Sequence, residues 1–166
     1  MKKLWMVLLL AAVLAGCGSP VDYETMSDVY VEPPTKAAAQ LLVSLPPDAA
    51  VLTGEDGKAG SIWLCDGYTV EVQTLAAGDL DATLRQTTGY GREQLAVIAL
   101  DNGSLKRYEC AWTCAGEGGD QVARTVVLDD GSYHYVMTLL TDAERAGQLA
   151  EAWQQITASV TLDIVP

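Results

Sequence analysis

The sequence predicts an α+β fold, an antiparallel β-sheet meander packed by a C-terminal amphipathic helix and a second, short helix. Three observations carry this. Asp66-Gly67 separates two β-prone runs, residues 61–65 and 68–74, in the manner of a two-residue type I′ hairpin. Tyr108, Cys110, Trp112 and Cys114 alternate with Arg107, Glu109, Ala111 and Thr113, the period of a strand with one apolar face. Ala146, Leu149, Trp153, Ile156 and Val160 form one helical stripe behind Thr141-x-x-Glu144, which reads as a capping box.

The elements follow in chain order. Thr35 is placed to cap a short helix whose apolar positions Ala38, Leu41, Leu42 and Leu45 keep helical spacing until Pro46-Pro47 stops it. A strand around residues 50–53 leads to the turn Glu55-Asp56-Gly57, and the first hairpin follows. Asp79 is a good N-cap for a helix over residues 80–88, and Gly89 stands at its C′ position. Strands are expected over residues 94–100, 105–114 and 121–128, joined by Asp101-Asn102-Gly103 and by a loop over 115–120. A strand over 133–140 follows Asp129-Asp130-Gly131, and residues 158–164 alternate as a terminal edge strand. The C-terminal helix is expected to cover the apolar face that carries Cys110, anchored by Trp153.

Ahead of this domain lie Lys2-Lys3, an apolar run over residues 4–14, and Leu14-Ala15-Gly16-Cys17. These are the parts of a secretory signal. As a transmembrane helix the run would rise only about 16 Å, roughly half a hydrocarbon core. Leu14-Ala15-Gly16-Cys17 resembles the lipobox of bacterial lipoproteins. The resemblance implies a diacylglyceryl group on the Cys17 sulfur and cleavage just before it, hence a palmitate-type anchor in the cell membrane. Two or three acyl chains suffice for stable attachment. The domain organisation expected is a signal peptide over residues 1–16, a lipidated flexible acidic tether over 17–35 rich in proline and carboxylates, and one α+β domain over 36–166 on the extracytoplasmic face.

The chain has a net charge of −12, and loss of Lys2 and Lys3 with the signal would make it −14. That acidity excludes the polybasic routes to nucleic acid or to anionic headgroups, so the lipid would anchor alone. Nearly half the residues are apolar, 49%, enough for a core of ordinary size.

With Cys17 committed to lipid, Cys65, Cys110 and Cys114 remain. Cys110 and Cys114 on one strand would sit about 13 Å apart, beyond disulfide reach. A bridge would therefore join Cys65 to Cys110 or Cys114; the alternative is three reduced cysteines packed as small hydrophobes.

A zinc site built on Cys110 and Cys114 would need further ligands, and His134 is the sole histidine. The same histidine is the sole imidazole base, flanked by Tyr133 and Tyr135 on a strand, and no nucleophile signature accompanies it. Gly116-Glu117-Gly118-Gly119-Asp120 lacks the ending of a phosphate loop and reads as a hairpin loop. Asp129-Asp130 and Glu55-Asp56 lack the spacing of an EF-hand and read as turn residues. Trp63, Trp112 and Trp153 could supply an aromatic platform, with core packing the simpler role for Trp112 and Trp153. No catalytic, cofactor-binding or metal-ligating residue is singled out.

From the hairpin through Gly89-Tyr90, Asp129-Asp130-Gly131-Ser132-Tyr133-His134-Tyr135 and the terminal Ile156-Thr157-Ala158-Ser159-Val160, the chain resembles the Mog1/PsbP-like α/β/α sandwich and small lipoproteins of anaerobic Gram-positive bacteria. The likeness spans residues 48–164 and rests mainly on 129–164. It implies a non-catalytic binding or accessory role and transfers no functional residue. Two further readings stand beside it. One is an envelope-polymer hydrolase using carboxylates such as Glu109 or Glu117, which requires two carboxyl groups about 5–10 Å apart. The other is a structural envelope protein without a specific ligand, which requires that no large apolar patch be exposed.

Overall fold

A computed structural model describes Pro34 and residues 36–53, 59–101, 103–116 and 118–163. The signal, Cys17, nearly all of the tether, Glu55-Asp56-Gly57 and Glu117 lie outside the described residues. In chain order the elements are β1 (Gln40–Leu42), β2 (Ala50–Thr53), β3 (Ala59–Cys65), β4 (Tyr68–Ala76), α1 (Leu80–Thr88), a 3-10 turn (Arg92–Gln94), β5 (Ile98–Asp101), β6 (Lys106–Gly116), β7 (Gly119–Asp129), β8 (Tyr133–Asp142), α2 (Ala150–Ser159) and β9 (Thr161–Asp163). A seven-stranded sheet runs in the order β2-β3-β4-β8-β7-β6-β5, antiparallel throughout, and β1 pairs with β9 in a second, two-stranded sheet. The α+β class and the meander from β5 to β8 are as the sequence predicts.

The sheet buries both faces, one under each helix. Against α2 lie Tyr68, Val70, Val126, Leu128, Tyr135, Met137 and Leu139, packed on Trp153, Ile156 and Val160. Against α1 lie Cys110, Val127 and Val136, packed on Leu80 and Leu84. Parity on β6, β7 and β8 sends alternate residues to opposite faces. Cys110 thus packs under α1, so the expected cover by the C-terminal helix is corrected. That helix lies on the other face, where Arg107 and Glu109 project.

Local chemistry explains α1. Asp79 accepts a hydrogen bond from the Asp81 N–H at 3.2 Å. Gly89 closes the helix in the left-handed region at φ 80°, its N–H bonded to the Arg85 carbonyl.

Elsewhere the tertiary context overrides the local reading. The helix expected over residues 38–45 is instead extended chain with β1 at its centre. Ala39, Leu41, Val43 and Leu45 also fit a period of two and pack against the α2-side core, and β1 is recruited by pairing Gln40 with Asp163. The strand expected from residue 94 begins at Ile98, because Gly91 and Gln94 bond each other around the 3-10 turn. The Asp66-Gly67 turn has a positive φ at Gly67 only, 83°, so it is not type I′. The capping box is not formed either. Thr141 is buried in β8 and its hydroxyl donates to the Gly67 carbonyl at 2.6 Å, and the helix starts at Ala150.

Cys65, Cys110 and Cys114 are free thiols. Cys65 lies on β3 and the other two on β6, with β4, β8 and β7 between them. Four strand spacings of about 4.8 Å put them roughly 19 Å apart, so the expected Cys65 bridge is corrected. Burial pushes the Cys110 thiol up to about 11, in keeping with a small hydrophobe.

Candidate binding site

On the α2 face the sheet is wider than the helix that covers it. Trp153 and Ile156 lie over the middle strands, and the β5 margin is left open. Arg107 sets where the cover stops. Its guanidinium takes Glu109 Oε1 at 2.6 Å and donates to the Thr157 and Val160 carbonyls at 2.5 and 3.1 Å. A cation on the C-terminal carbonyls of a helix is favourable in both hydrogen bonding and dipole terms. The contact ties the C-terminus of α2 to β6.

Beyond this clamp lies a cavity of about 300 Å³. Its wall is mainly apolar, with Ala96, Ile98, Ala111 and Val126, and its polar margin is Glu109, Arg124 and Thr157. The register explains the grouping, since Ile98, Glu109 and Val126 form one cross-strand row and Ala111 and Arg124 belong to the next. Every residue of β5 is exposed, and Ile98 and Leu100, on the α2 face, are 63% and 49% exposed. Arg124 forms no ion pair among the described residues. A concave apolar wall with few polar groups is the usual form of a ligand site.

A second cluster forms where the chain enters the domain. Asp130 accepts from the Ser132 and Tyr133 N–H groups at 2.8 Å each, from Lys36 Nζ at 2.8 Å and from the Tyr135 hydroxyl at 3.0 Å. Burial pushes its carboxyl up, but these four donors outweigh that and hold it at about 2. The Tyr133 hydroxyl adds a bond to the Lys36 carbonyl at 2.8 Å, and the Ala39 N–H donates to Tyr135 at 2.9 Å. Asp130 is thus a turn residue, as its sequence suggests, and also the bolt that fastens residues 36–39 to the sheet. A carboxylate with four donors has no free lone pair for acid–base work.

His134 is buried on the α1 face, where its Nδ1 shares a 2.7 Å hydrogen bond with the Thr83 hydroxyl. Its Nε2 is 3.8 Å from Asp129 Oδ2. Desolvation lowers its pKa against the opposing pull of Asp129, Asp130 and Asp79. It therefore works as a neutral strut between α1 and β8.

Glu109 is spent on Arg107, and Glu117 lies outside the described residues. No group of three or more His, Cys, Asp or Glu side chains suited to a metal occurs among the described residues. The tryptophans do not share a platform. Trp153 is at the centre of the α2-side core, Trp63 packs at its margin, and Trp112 is on the α1 face with its indole N–H on Thr125 at 2.9 Å.

Sequence reasoning missed the cavity, the Arg107 clamp and the Lys36 contact. The alternation of β6 did place Arg107, Glu109 and Ala111 on one face. Nothing local could show that α2 would stop short of β5, or that Lys36 would meet Tyr133 across 97 positions of chain.

No protein-family model matches the chain, and no curated protein matches it. Among solved structures, one it is similar to is LpqN, involved in cell envelope biogenesis of Mycobacterium tuberculosis. The identity is 11% and the TM-score 0.48, over 80% of this chain and 87% of that one. At that level the likeness assigns neither a family nor a role. Among the described residues no helix is long and apolar enough to cross a membrane.

Proposed function

We propose that this chain is a lipid-anchored extracytoplasmic module, acylated at Cys17, that binds a protein or other envelope component without catalysing a reaction. Residues 1–16 serve as the signal, 17–35 as the tether and 36–166 as the binding domain. The lipobox supports the anchor. The layering of one helix on each face of an antiparallel sheet supports the Mog1/PsbP-like assignment, which implies a non-catalytic binding or accessory role.

The observation that carries the binding role is the open margin beside α2. Ile98 and Leu100 stand exposed at the lip of an apolar cavity on a strongly acidic chain. Exposed apolar surface that borders a cavity is a recognition feature more often than an idle one.

Photo-crosslinking in the native cells tests this. A photoreactive residue at position 98 should yield a discrete adduct, whereas one at Leu64, 44% exposed near the far edge of the sheet, should not. Absence of an adduct at 98, or equal adducts at both positions, overturns the reading. For the anchor, Cys17→Ala should leave the protein without lipid and release it from membranes; continued membrane partition would overturn that part.

A further inference from the structure

We propose that the cavity between α2 and β5 is a site for a free medium-chain alkyl carboxylate, with Arg124 as the counter-ion and Ile98, Ala111 and Val126 as the wall for the alkyl chain. The proposal rests on the binding reading above and names the ligand of the same site.

The charge argument comes first. Two groups on the cavity margin are ionic, Glu109 and Arg124. Glu109 is neutralised by Arg107 at 2.6 Å, and Arg107 is itself held by the carbonyls of α2. Arg124, an exposed residue of β7, has no ionic partner among the described residues, so among these residues the uncompensated charge at the site is positive. The net charge of −12 favours a cation at long range, but beyond about 8–10 Å it is screened at physiological ionic strength. At contact distance the local guanidinium decides.

Size and shape then set the apolar part. At about 30 Å³ per non-hydrogen atom, water's share of liquid volume, a cavity of about 300 Å³ holds about ten such atoms. An eight-carbon carboxylate matches that number. A diacyl phospholipid exceeds it several-fold, which is why the free carboxylate is the occupant. Longer chains have a path outward, because Leu100 continues the apolar lip roughly 7 Å beyond Ile98 along β5.

The test uses the full lipoprotein in phospholipid nanodiscs with labelled isoleucine methyl groups. The chain has four isoleucines, Ile62, Ile98, Ile156 and Ile164, so Ile98 reports on the cavity and Ile62 and Ile156 on the fold. Sodium octanoate should shift the Ile98 signal saturably, while octylammonium, with the same tail and opposite charge, should bind at least ten-fold more weakly. Arg124→Gln should weaken octanoate at least ten-fold, and Arg124→Lys should retain most of the affinity, both with unchanged Ile62 and Ile156 signals. A static Ile98 signal, equal response to octanoate and octylammonium, or an Arg124→Gln isotherm identical to the parent's overturns the proposal. If position 98 still crosslinks to a discrete envelope component when octanoate fails to bind, the ligand class falls and the binding reading stands.

Discussion

The two faces of the seven-stranded sheet are held by different means. Under α2 the buried set is large and apolar, Trp153, Tyr135, Met137, Leu139 and Leu128 among them, with Tyr68 edge-on to Trp153 at a centroid distance of 6.4 Å. Under α1 the apolar set is smaller and is interleaved with polar groups. Thr83 meets His134 at 2.7 Å, and Trp112, Thr125 and Thr138 form a chain of bonds at 2.9 and 3.1 Å. One face derives its stability from buried area and volume. The other depends on pairing most of the polar groups it has buried, because an unpaired one costs about 1–3 kcal/mol. Among the described residues the Thr87 hydroxyl on α1 is left without a partner, as is the Trp153 indole N–H on the opposite face.

The largest expected effect is on the α2 face. Trp153→Ala should cost about 3–5 kcal/mol, since the ring is 2% exposed and the surrounding strands are too rigidly paired to fill the space. Urea unfolding of the full chain measures it. A loss below about 1 kcal/mol would remove the distinction between the faces. Leu84→Ala on α1 should cost about 2–3 kcal/mol, toward the low end for a buried leucine because its cluster is smaller. Hydrogen exchange should then show protection lost in residues 80–88 while β8 keeps its own. Uniform loss across both would mean that α1 is part of one core and not a separate layer.

How much of this was legible depends on how far away the deciding residue lies. The helix α1 is spelled out by its own ends, Asp79 and Gly89, and its predicted and observed spans coincide. Around β1 both periods fit. Ala38, Leu41, Leu42 and Leu45 suit a helix, while Ala39, Leu41, Val43 and Leu45 suit a strand, and the arbiter is β9, at the other end of the chain. The expected start of α2 fails because the Thr141 hydroxyl finds its acceptor in the Gly67 carbonyl, 74 positions earlier. The cavity was least legible of all, since it is the space that one element leaves uncovered on three others.

Asp130 joins the faces to the incoming chain, and its effect comes next in size. Its folded pKa of about 2 lies below the ordinary 3.8, so its stabilisation is present above pH 4 and is lost as pH falls towards 2. A depression of that size corresponds to about 2 kcal/mol at neutral pH. Lys36 is the strongest of the lowering contacts, followed by the Ser132 and Tyr133 N–H groups and the Tyr135 hydroxyl, but its share is reduced by solvent screening because the Lys36 side chain is 51% exposed. Asp130→Asn should lose about this amount at pH 7 and show a flatter decline between pH 4 and 2. Equal acid sensitivity in parent and variant would mean that the carboxylate is not held as described.

The smallest effect expected isolates the polar face. His134 is kept neutral by burial, so its folded pKa lies below the ordinary 6.5 although Asp129 stands 3.8 Å from Nε2. A depressed pKa means that the unfolded chain takes up the proton first. Stability is therefore complete above about pH 6.5 and declines as pH falls through that value towards the folded pKa. His134→Gln can keep a bond to Thr83 but cannot titrate. It should lose about 1 kcal/mol at pH 7.5 and should lack the part of the pH 7.5 to 5 decline that the imidazole causes. Comparing urea midpoints of parent and variant at both pH values measures this, and a parallel fall in the two would assign the decline to carboxylates. Trp153→Ala, in which the α2 face is weakened and the α1 face left alone, should retain the full His134-dependent slope, since the two layers share strands but not titrating groups.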